Sequence, residues 1–87
     1  MRFDYSKKFN KQFKKLPEDL KDTFRSRLEL FLIDKYHPLL NNHQLNGDRK
    51  GYHSINISGD VRLVFSEKET GVILLAEIGD HHQLYGK

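Results

Sequence analysis

The stretch that decides the fold is residues 51–78, which read GYHSINISGDVRLVFSEKETGVILLAEI. Three apolar runs of strand length lie in it, at residues 51–57, 61–66 and 71–78. Two short segments rich in turn-forming residues, 58–60 and 68–70, separate these runs. Connections this short join antiparallel neighbours, so the pattern predicts an antiparallel sheet in the second half of the chain.

The first half of the chain has helical periodicity instead. Phe9, Phe13 and Leu16 lie at i, i+4 and i+7, with Ser6 as a suitable N-cap. A second helix with a similar apolar stripe is expected to have Pro17 at its first position. It should end near residue 34 or 35, because the His-Pro pair at 37–38 disfavours helical geometry.

Together these elements predict an α+β fold, with an N-terminal helical hairpin packed on the sheet. Residues 2–5 alternate polar and aromatic side chains and are expected to form a short strand. Residues 37–50 contain Pro, three Asn and a Gly, which predicts a loop from the helices to the sheet. Residues 80–87 are expected to form one turn of helix or a tail.

Composition limits the class of protein. With 87 residues, the chain is expected to form one domain spanning 1–87. It contains no cysteine, which excludes disulfides and thiolate metal sites and fits a reducing, cytoplasmic setting. The N-terminus lacks the apolar region of a signal peptide, and the longest aliphatic run, residues 72–76, is too short to cross a bilayer. Secretion and membrane insertion are therefore disfavoured.

Positive charge is concentrated at the N-terminus. Residues 1–15 hold six lysine and arginine side chains against one aspartate, a net charge of +5, whereas the whole chain carries +3. Such a segment favours contact with an acidic partner such as nucleic acid, although a lysine face is equally often a solvated helix surface.

Polar residues capable of chemistry cluster in the second half, in or beside the strands. They are His43, Arg49, Lys50, His53, Asn56, Asp60, Arg62, His81, His82 and Tyr85. Metal-free cleavage of RNA needs a base for the 2′-hydroxyl, an acid for the leaving 5′-oxygen and a cation for the phosphorane. Histidine, with an unperturbed pKa of ~6.5, suits the first two roles, and arginine suits the third.

These residues also have structural interpretations. His43, in a polar loop, is compatible with a solvated surface position. Arg62 interrupts an apolar strand and needs either a ligand or a carboxylate partner such as Glu77 or Asp60. The adjacent histidines at 81 and 82 would diverge in a strand or a helix, which disfavours a shared metal site.

Three segments resemble the RelE/ParE superfamily of type II toxins and, within it, the YafQ-like branch. They are HQLNG at 43–47 followed by KGY at 50–52, GDVRLVF at 59–65, and IGDHHQLYG at 78–86. Their order and spacing carry the resemblance, which covers nearly the whole chain. It implies a twisted antiparallel sheet backed by the N-terminal helical hairpin.

The resemblance also implies roles for individual residues. His43 and His81 correspond to the acid–base pair, and Asp60 to a further active-site residue. Arg62 matches the arginine placed on the scissile phosphate, and Tyr85 matches a terminal aromatic residue that stacks on a base or contributes a hydroxyl.

Two positions depart from the YafQ-like pattern. Asn56 replaces a histidine, and Val61 replaces a tryptophan. An amide can hydrogen-bond a substrate but cannot act as a base near neutral pH, so the departure concerns the division of labour within the site.

The function implied is that of a toxin that cleaves messenger RNA in the decoding site of the 70S ribosome, without metal or cofactor, and is neutralised by a cognate antitoxin. No contact of the toxin alone with DNA is expected. A ParE-type inhibitor of DNA gyrase with the same fold, or an inactive homologue that binds an antitoxin, are the alternatives. The expected RNA-contacting residues are Lys7, Lys8, Lys11, Lys14, Lys15, Arg49, Lys50, His53 and Asn56.

Overall fold

The computed structural model describes residues 1–86, with three helices and five strands. The elements in chain order are β1 (Arg2–Tyr5), α1 (Lys7–Lys14), α2 (Glu18–Ile33), β2 (His43–Gln44), β3 (His53–Asn56), β4 (Val61–Glu69), β5 (Val72–Asp80) and α3 (His81–Tyr85). Two single-turn 3₁₀ helices, Pro38–Leu40 and Gly47–Arg49, lie on either side of β2. The predicted loop at 37–50 thus contains a two-residue strand.

The five strands form one sheet in the order β1-β5-β4-β3-β2. The β3–β4 and β4–β5 pairs are antiparallel, as predicted, and the short β2 adds a further antiparallel pair with β3. The α+β class is confirmed, but the sheet is mixed at one edge because β1 pairs with β5 in parallel. Both helices of the hairpin lie between these strands in sequence, which gives the long connection that a parallel pair requires.

Both N-terminal helices start close to their predicted positions. The Ser6 hydroxyl accepts a hydrogen bond from the Phe9 amide at 2.9 Å, which confirms Ser6 as the N-cap of α1. The same hydroxyl donates to the Ala76 carbonyl oxygen at 2.6 Å and so ties α1 to β5. Pro17 is the residue preceding α2 rather than its first helical residue, and α2 ends at Ile33, slightly before the predicted end.

The core lies between the helical hairpin and one face of the sheet. Phe9, Phe24 and Phe31 come from the helices, and Phe31 meets Phe65 of β4 edge to face at 5.2 Å. The remaining buried core residues are Leu40, Ile55, Ile57, Val61, Leu63, Ile73, Leu75 and Ile78. Burial of these apolar side chains is the main stabilising term of the fold.

The opposite face of the sheet carries the residues that alternate with the core positions. Across β3, β4 and β5, Ser54 is registered with Val64, and Val64 with Glu77. Two residues along, Asn56 is registered with Arg62. This open face therefore presents polar groups of three strands side by side. No helix within residues 1–86 is long and apolar enough to cross a membrane.

Neighbouring leucines in the first 3₁₀ helix give a matched test of the core. Leu40 is fully buried, whereas Leu39 is 57% exposed. We expect Leu40→Ala to lower the free energy of unfolding by about 2–5 kcal/mol, because it leaves a cavity beside β3. Leu39→Ala should change it by less than about 0.5 kcal/mol. Urea unfolding measures both, and equal effects would contradict this core assignment.

The β4–β5 hairpin is closed by a carboxylate. Glu67 accepts a hydrogen bond from the Gly71 amide at 3.0 Å and pairs with the Lys35 ammonium at 3.3 Å. The hydrogen bond from the Gly71 amide is the largest cause of a pKa of Glu67 below its usual 4.5; burial of the carboxyl opposes it, and Lys35 lowers the pKa further. A carboxyl whose pKa is lower in the folded state stabilises the fold above its unfolded pKa, and that contribution is lost as the pH falls through the folded pKa.

Glu67→Gln should therefore destabilise the protein by about 1 kcal/mol at neutral pH. The difference from the wild type should shrink toward zero well below pH 4.5, where the wild-type carboxyl is protonated. Glu69→Gln, an exposed substitution in the same hairpin, serves as the control. A difference for Glu67→Gln that does not vary with pH would contradict the role of its charge.

Candidate active site

An open cleft of about 280 Å³ lies on the face of the sheet opposite the helical hairpin. Four of the predicted catalytic residues line it: His43, Arg62, His81 and Tyr85. Leu45 and Ser54 complete the lining. The cleft thus combines two imidazoles, a guanidinium and a phenol from distant parts of the chain.

Strand register brings these groups together. His43 of β2 is registered with Ser54 of β3, and β3 pairs on its other side with β4, the strand that carries Arg62. Arg62 is in turn registered with Gly79, just before α3 begins. A Cβ atom on Gly79 would lie 2.8 Å from the Gln83 side-chain oxygen, so the absence of a side chain lets α3 fold back at this point.

His43 is exposed, and a local hydrogen bond orients its ring. Its Nδ1 lies 2.8 Å from the Asn41 carbonyl oxygen. Since a carbonyl oxygen can only accept, Nδ1 must donate, and Nε2 is then the nitrogen without a proton in the neutral ring. His43 is therefore able to take up and release a proton through Nε2.

Arg62 reaches the cleft with part of its guanidinium engaged. Its Nη1 donates to the carbonyl oxygens of Ser58 and Gly59 at 3.0 and 3.1 Å, and more weakly to its neighbour Val61 at 3.3 Å. None of the ion pairs found within residues 1–86 includes Arg62, so the partnership with Glu77 or Asp60 allowed by the sequence does not form. The turn carbonyls fix the arginine while its charge remains available to an anion.

The helix α3 forms another side of the cleft. His81 and Tyr85 are four residues apart and share a helix face, with their ring centroids 4.7 Å apart. The Arg49 guanidinium lies 4.9 Å from the centre of the Tyr85 ring. The Asp80 carboxylate caps the helix by accepting a hydrogen bond from the backbone N–H of Gln83 at 2.7 Å. The Gln83 side-chain oxygen accepts one from the backbone N–H of Asp80 at 2.9 Å.

Asn56, which departs from the YafQ-like pattern, lies next to Arg62 on the open face. Its Oδ1 is buried and meets no hydrogen-bond donor among residues 1–86. A buried acceptor without a donor is costly, and such groups are often found at functional sites. Asn56 lies beside Arg62 but is not among the described residues that line the cleft.

Other predicted residues lie elsewhere. Asp60 is exposed in the turn between β3 and β4 and is not among the residues lining the cleft in the described part of the chain. His53 points to the helix-facing side, where its ring stacks on Phe65 at 5.4 Å and Nδ1 lies 3.2 Å from the Asn42 Oδ1. Lys50 is exposed directly after the second 3₁₀ helix.

The N-terminal lysines lie on the exposed side of α1 and just after it. Lys8 pairs with Glu77 of the open face at 3.1 Å. Lys15 and Gln83 of α3 line the same small depression between the two helices. The remaining members of this lysine cluster, all exposed, are Lys7, Lys11 and Lys14. The cluster therefore reaches Glu77 of β5 through Lys8 and lies near α3 through Lys15.

Arg49, predicted to contact RNA, is bound within the protein. It makes a two-pronged ion pair with Glu77 and donates from Nη2 to the Leu84 carbonyl oxygen at 2.7 Å. Together with Tyr52 and Val64 it also lines a neighbouring groove of about 440 Å³. Glu77 and Leu84, to which Arg49 donates, lie 28 and 35 residues further along the chain.

Ser54 and Leu45 line the cleft but were not predicted from the sequence. Ser54 is almost fully buried, although strand alternation places it on the same face as Asn56. Strand alternation could have predicted the face of the sheet on which Ser54 lies. Predicting that Ser54 lines the cleft also required the register of β3 against β4, which carries Arg62. Leu45 carried no signal, because an isolated leucine in a polar loop does not indicate a site.

The chain was compared with known proteins. The family model described as "Bacterial toxin of type II toxin-antitoxin system, YafQ" matches residues 1–86. No curated protein sequence matches.

Solved structures share the fold. YafQ from Escherichia coli strain BL21(DE3) is 22% identical with a TM-score of 0.79, over 99% of this chain and 100% of that one. A YoeB/ParE toxin from Agrobacterium tumefaciens is 15% identical with a TM-score of 0.78, over 93% of this chain and 99% of that one. A chain of the E. coli DinJ–YafQ toxin–antitoxin complex is 22% identical with a TM-score of 0.75, over 97% of this chain and 96% of that one. On the strength of the family match along its whole described length, this chain belongs to the YafQ family of bacterial type II toxin–antitoxin toxins.

Proposed function

We propose that this toxin is an endoribonuclease that cuts messenger RNA on the ribosome by metal-free acid–base chemistry. The observation that carries the proposal is the convergence of His43, Arg62, His81 and Tyr85 on one open cleft. The two histidines and the arginine match the base, the acid and the cation that RNA cleavage requires, and the four residues come from three separate elements, β2, β4 and α3. A cleft of about 280 Å³ has room for a phosphate and part of a nucleotide.

The reaction would follow the usual course of metal-free RNA cleavage. One imidazole removes the proton from the 2′-hydroxyl, and the 2′-oxygen attacks the adjacent phosphorus. The bond from phosphorus to the 5′-oxygen breaks, and the other imidazole, as imidazolium, protonates that leaving oxygen. The products are a 2′,3′-cyclic phosphate and a 5′-hydroxyl, and the two histidines have exchanged protonation states.

His43 and His81 form the acid–base pair in this proposal. Arg62 binds the phosphate oxygens and stabilises the negative charge of the phosphorane, for which a planar guanidinium is well suited. Tyr85 provides a ring on which a neighbouring base stacks. Asp60 takes no step, because the turn that carries it does not line the cleft within residues 1–86.

The lysine cluster would bind ribosomal RNA. Its exposed ammonium groups suit a sequence-independent attraction to phosphates. We also propose a cognate antitoxin as the protein partner, since the E. coli relative of the same fold was crystallised with one. We further propose that the toxin acts in the cytoplasm, where its ribosomal target lies.

Purified protein, purified ribosomes and a short message test the function directly. Ribosome-dependent cuts mapped by primer extension would support it. Gyrase inhibition without RNA cleavage would instead identify a ParE-type toxin. Antitoxin binding without either activity would identify an inactive homologue.

Adjacent histidines provide the sharpest mutational comparison. His81 lines the cleft, whereas His82, also exposed, does not. We expect His81→Ala and His43→Ala each to reduce the cleavage rate by about 10²–10⁴-fold, the usual contribution of a general acid or base. Both should relieve growth arrest when expressed, and His82→Ala should do neither. Full toxicity and cleavage by both cleft variants would contradict their assignment.

The lysine cluster predicts a salt-dependent contribution to ribosome binding. Lys11→Gln/Lys14→Gln should weaken binding and make the slope of log affinity against log salt concentration shallower by about 1 for each phosphate that the variant no longer neutralises. Arg25→Gln/Lys68→Gln removes the same charge elsewhere and is the control. Equal slopes for the two double variants would show that only net charge matters.

A further inference from the structure

The helix α3 carries two of the four cleft groups, yet it is only five residues long. A helix of this length is not stable by itself in water, so its position depends on contacts with the rest of the protein. At its first turn the Asp80–Gln83 capping box holds it, and its fourth residue, Leu84, is buried. Its C-terminal end, where Tyr85 lies, needs a separate support.

Arg49 provides that support: it makes two contacts with α3 and one with the sheet. Its Nη2 donates to the Leu84 carbonyl oxygen at 2.7 Å, which satisfies an acceptor at the end of the helix. Its guanidinium lies 4.9 Å from the centre of the Tyr85 ring. Its Nε and Nη2 both reach the Glu77 carboxylate, at 3.3 and 3.1 Å.

Glu77 fixes Arg49 in turn. The carboxylate is only 14% exposed and lies on β5, registered with Val64 in the neighbouring strand. A buried carboxylate needs compensating donors, and Arg49 supplies two nitrogens while Lys8 adds an ammonium at 3.1 Å. Arg49 is therefore held by the sheet on one side and holds α3 on the other.

We infer that Arg49 is a positioning residue that fixes Tyr85 and, through the same helix, His81 over the cleft. The inference rests on the proposed function and adds a residue to it. It differs from the RNA contact predicted for Arg49 from the sequence, since Nε and Nη2 of the guanidinium donate to Glu77 and Leu84. Tyr85 is a ring contact for RNA in the proposal, and Arg49 acts through it.

Arg49→Lys tests this role because lysine keeps the charge but lacks the two-pronged, planar geometry. We expect kcat for cleavage of ribosome-bound message to fall by about 10–100-fold, as small displacements of catalytic groups commonly do, with only a smaller rise in KM from the displaced Tyr85 ring. Arg25→Lys, which alters the exposed Arg25–Asp22 pair of α2, is the matched control and should leave both constants unchanged. A rise in KM with an unchanged kcat would indicate an RNA contact and overturn the inference.

The partnership with Glu77 gives a second test. Glu77→Gln should lower kcat in the same way, and the double variant with Arg49→Lys should be no worse than the more impaired single variant, because both changes release the same helix. Additive losses would overturn the assignment of Glu77 as the residue that fixes Arg49.

A third measurement does not depend on catalysis. NMR order parameters of the backbone amides of residues 82–85 should fall from about 0.85 toward 0.6 in Arg49→Lys, while the core strands keep theirs. Unchanged order in α3 would overturn the inference even if activity were lost. If the wild type cleaves no message but α3 loosens as described, the proposed function fails and the positioning role stands.

Discussion

Side chains alternate between the two faces of a β-strand, and in β4 this constraint joins the core to the cleft. Leu63 and Phe65 are buried under the helical hairpin, so Arg62 and Val64 must lie on the open face. A slip of one residue in the register would place the arginine in the core and the apolar side chains in the cleft. The packing that stabilises the fold therefore also sets where the guanidinium lies.

The same constraint explains how far the sequence could predict the structure. Apolar periodicity and capping residues are local signals, and they predicted α1, α2 and the strands of the β4–β5 hairpin to within a few residues. The parallel pairing of β1 with β5 could not be predicted, because alternation marks a strand without specifying its partner. The two-residue β2 is too short to leave a periodic signal.

Prediction of the site had a similar limit. Residue chemistry and the family resemblance selected His43, Arg62, His81 and Tyr85, which the fold brings together. They also selected His53. The face of the sheet on which His53 lies depends on the register of β3 against β4, and the sequence does not specify that register. The sequence offered Glu77 as a partner for Arg62, but the carboxylate binds Arg49, which approaches from a loop 28 residues away. Long-range ion pairs of this kind leave no periodic pattern.

The ion pairs around Glu77 connect the lysine cluster to the cleft. Lys8 of α1 and Arg49 share this carboxylate, and Arg49 contacts the helix that carries Tyr85. The surface proposed to bind ribosomal RNA and the groups proposed to cut messenger RNA thus meet at one half-buried charge.

Cleavage of a ribosome-bound message carrying one 2′-deoxynucleotide at a mapped cleavage site tests the chemistry most directly. We predict that this site remains uncut while neighbouring sites are cut; cleavage at an unchanged rate would contradict attack by the 2′-oxygen.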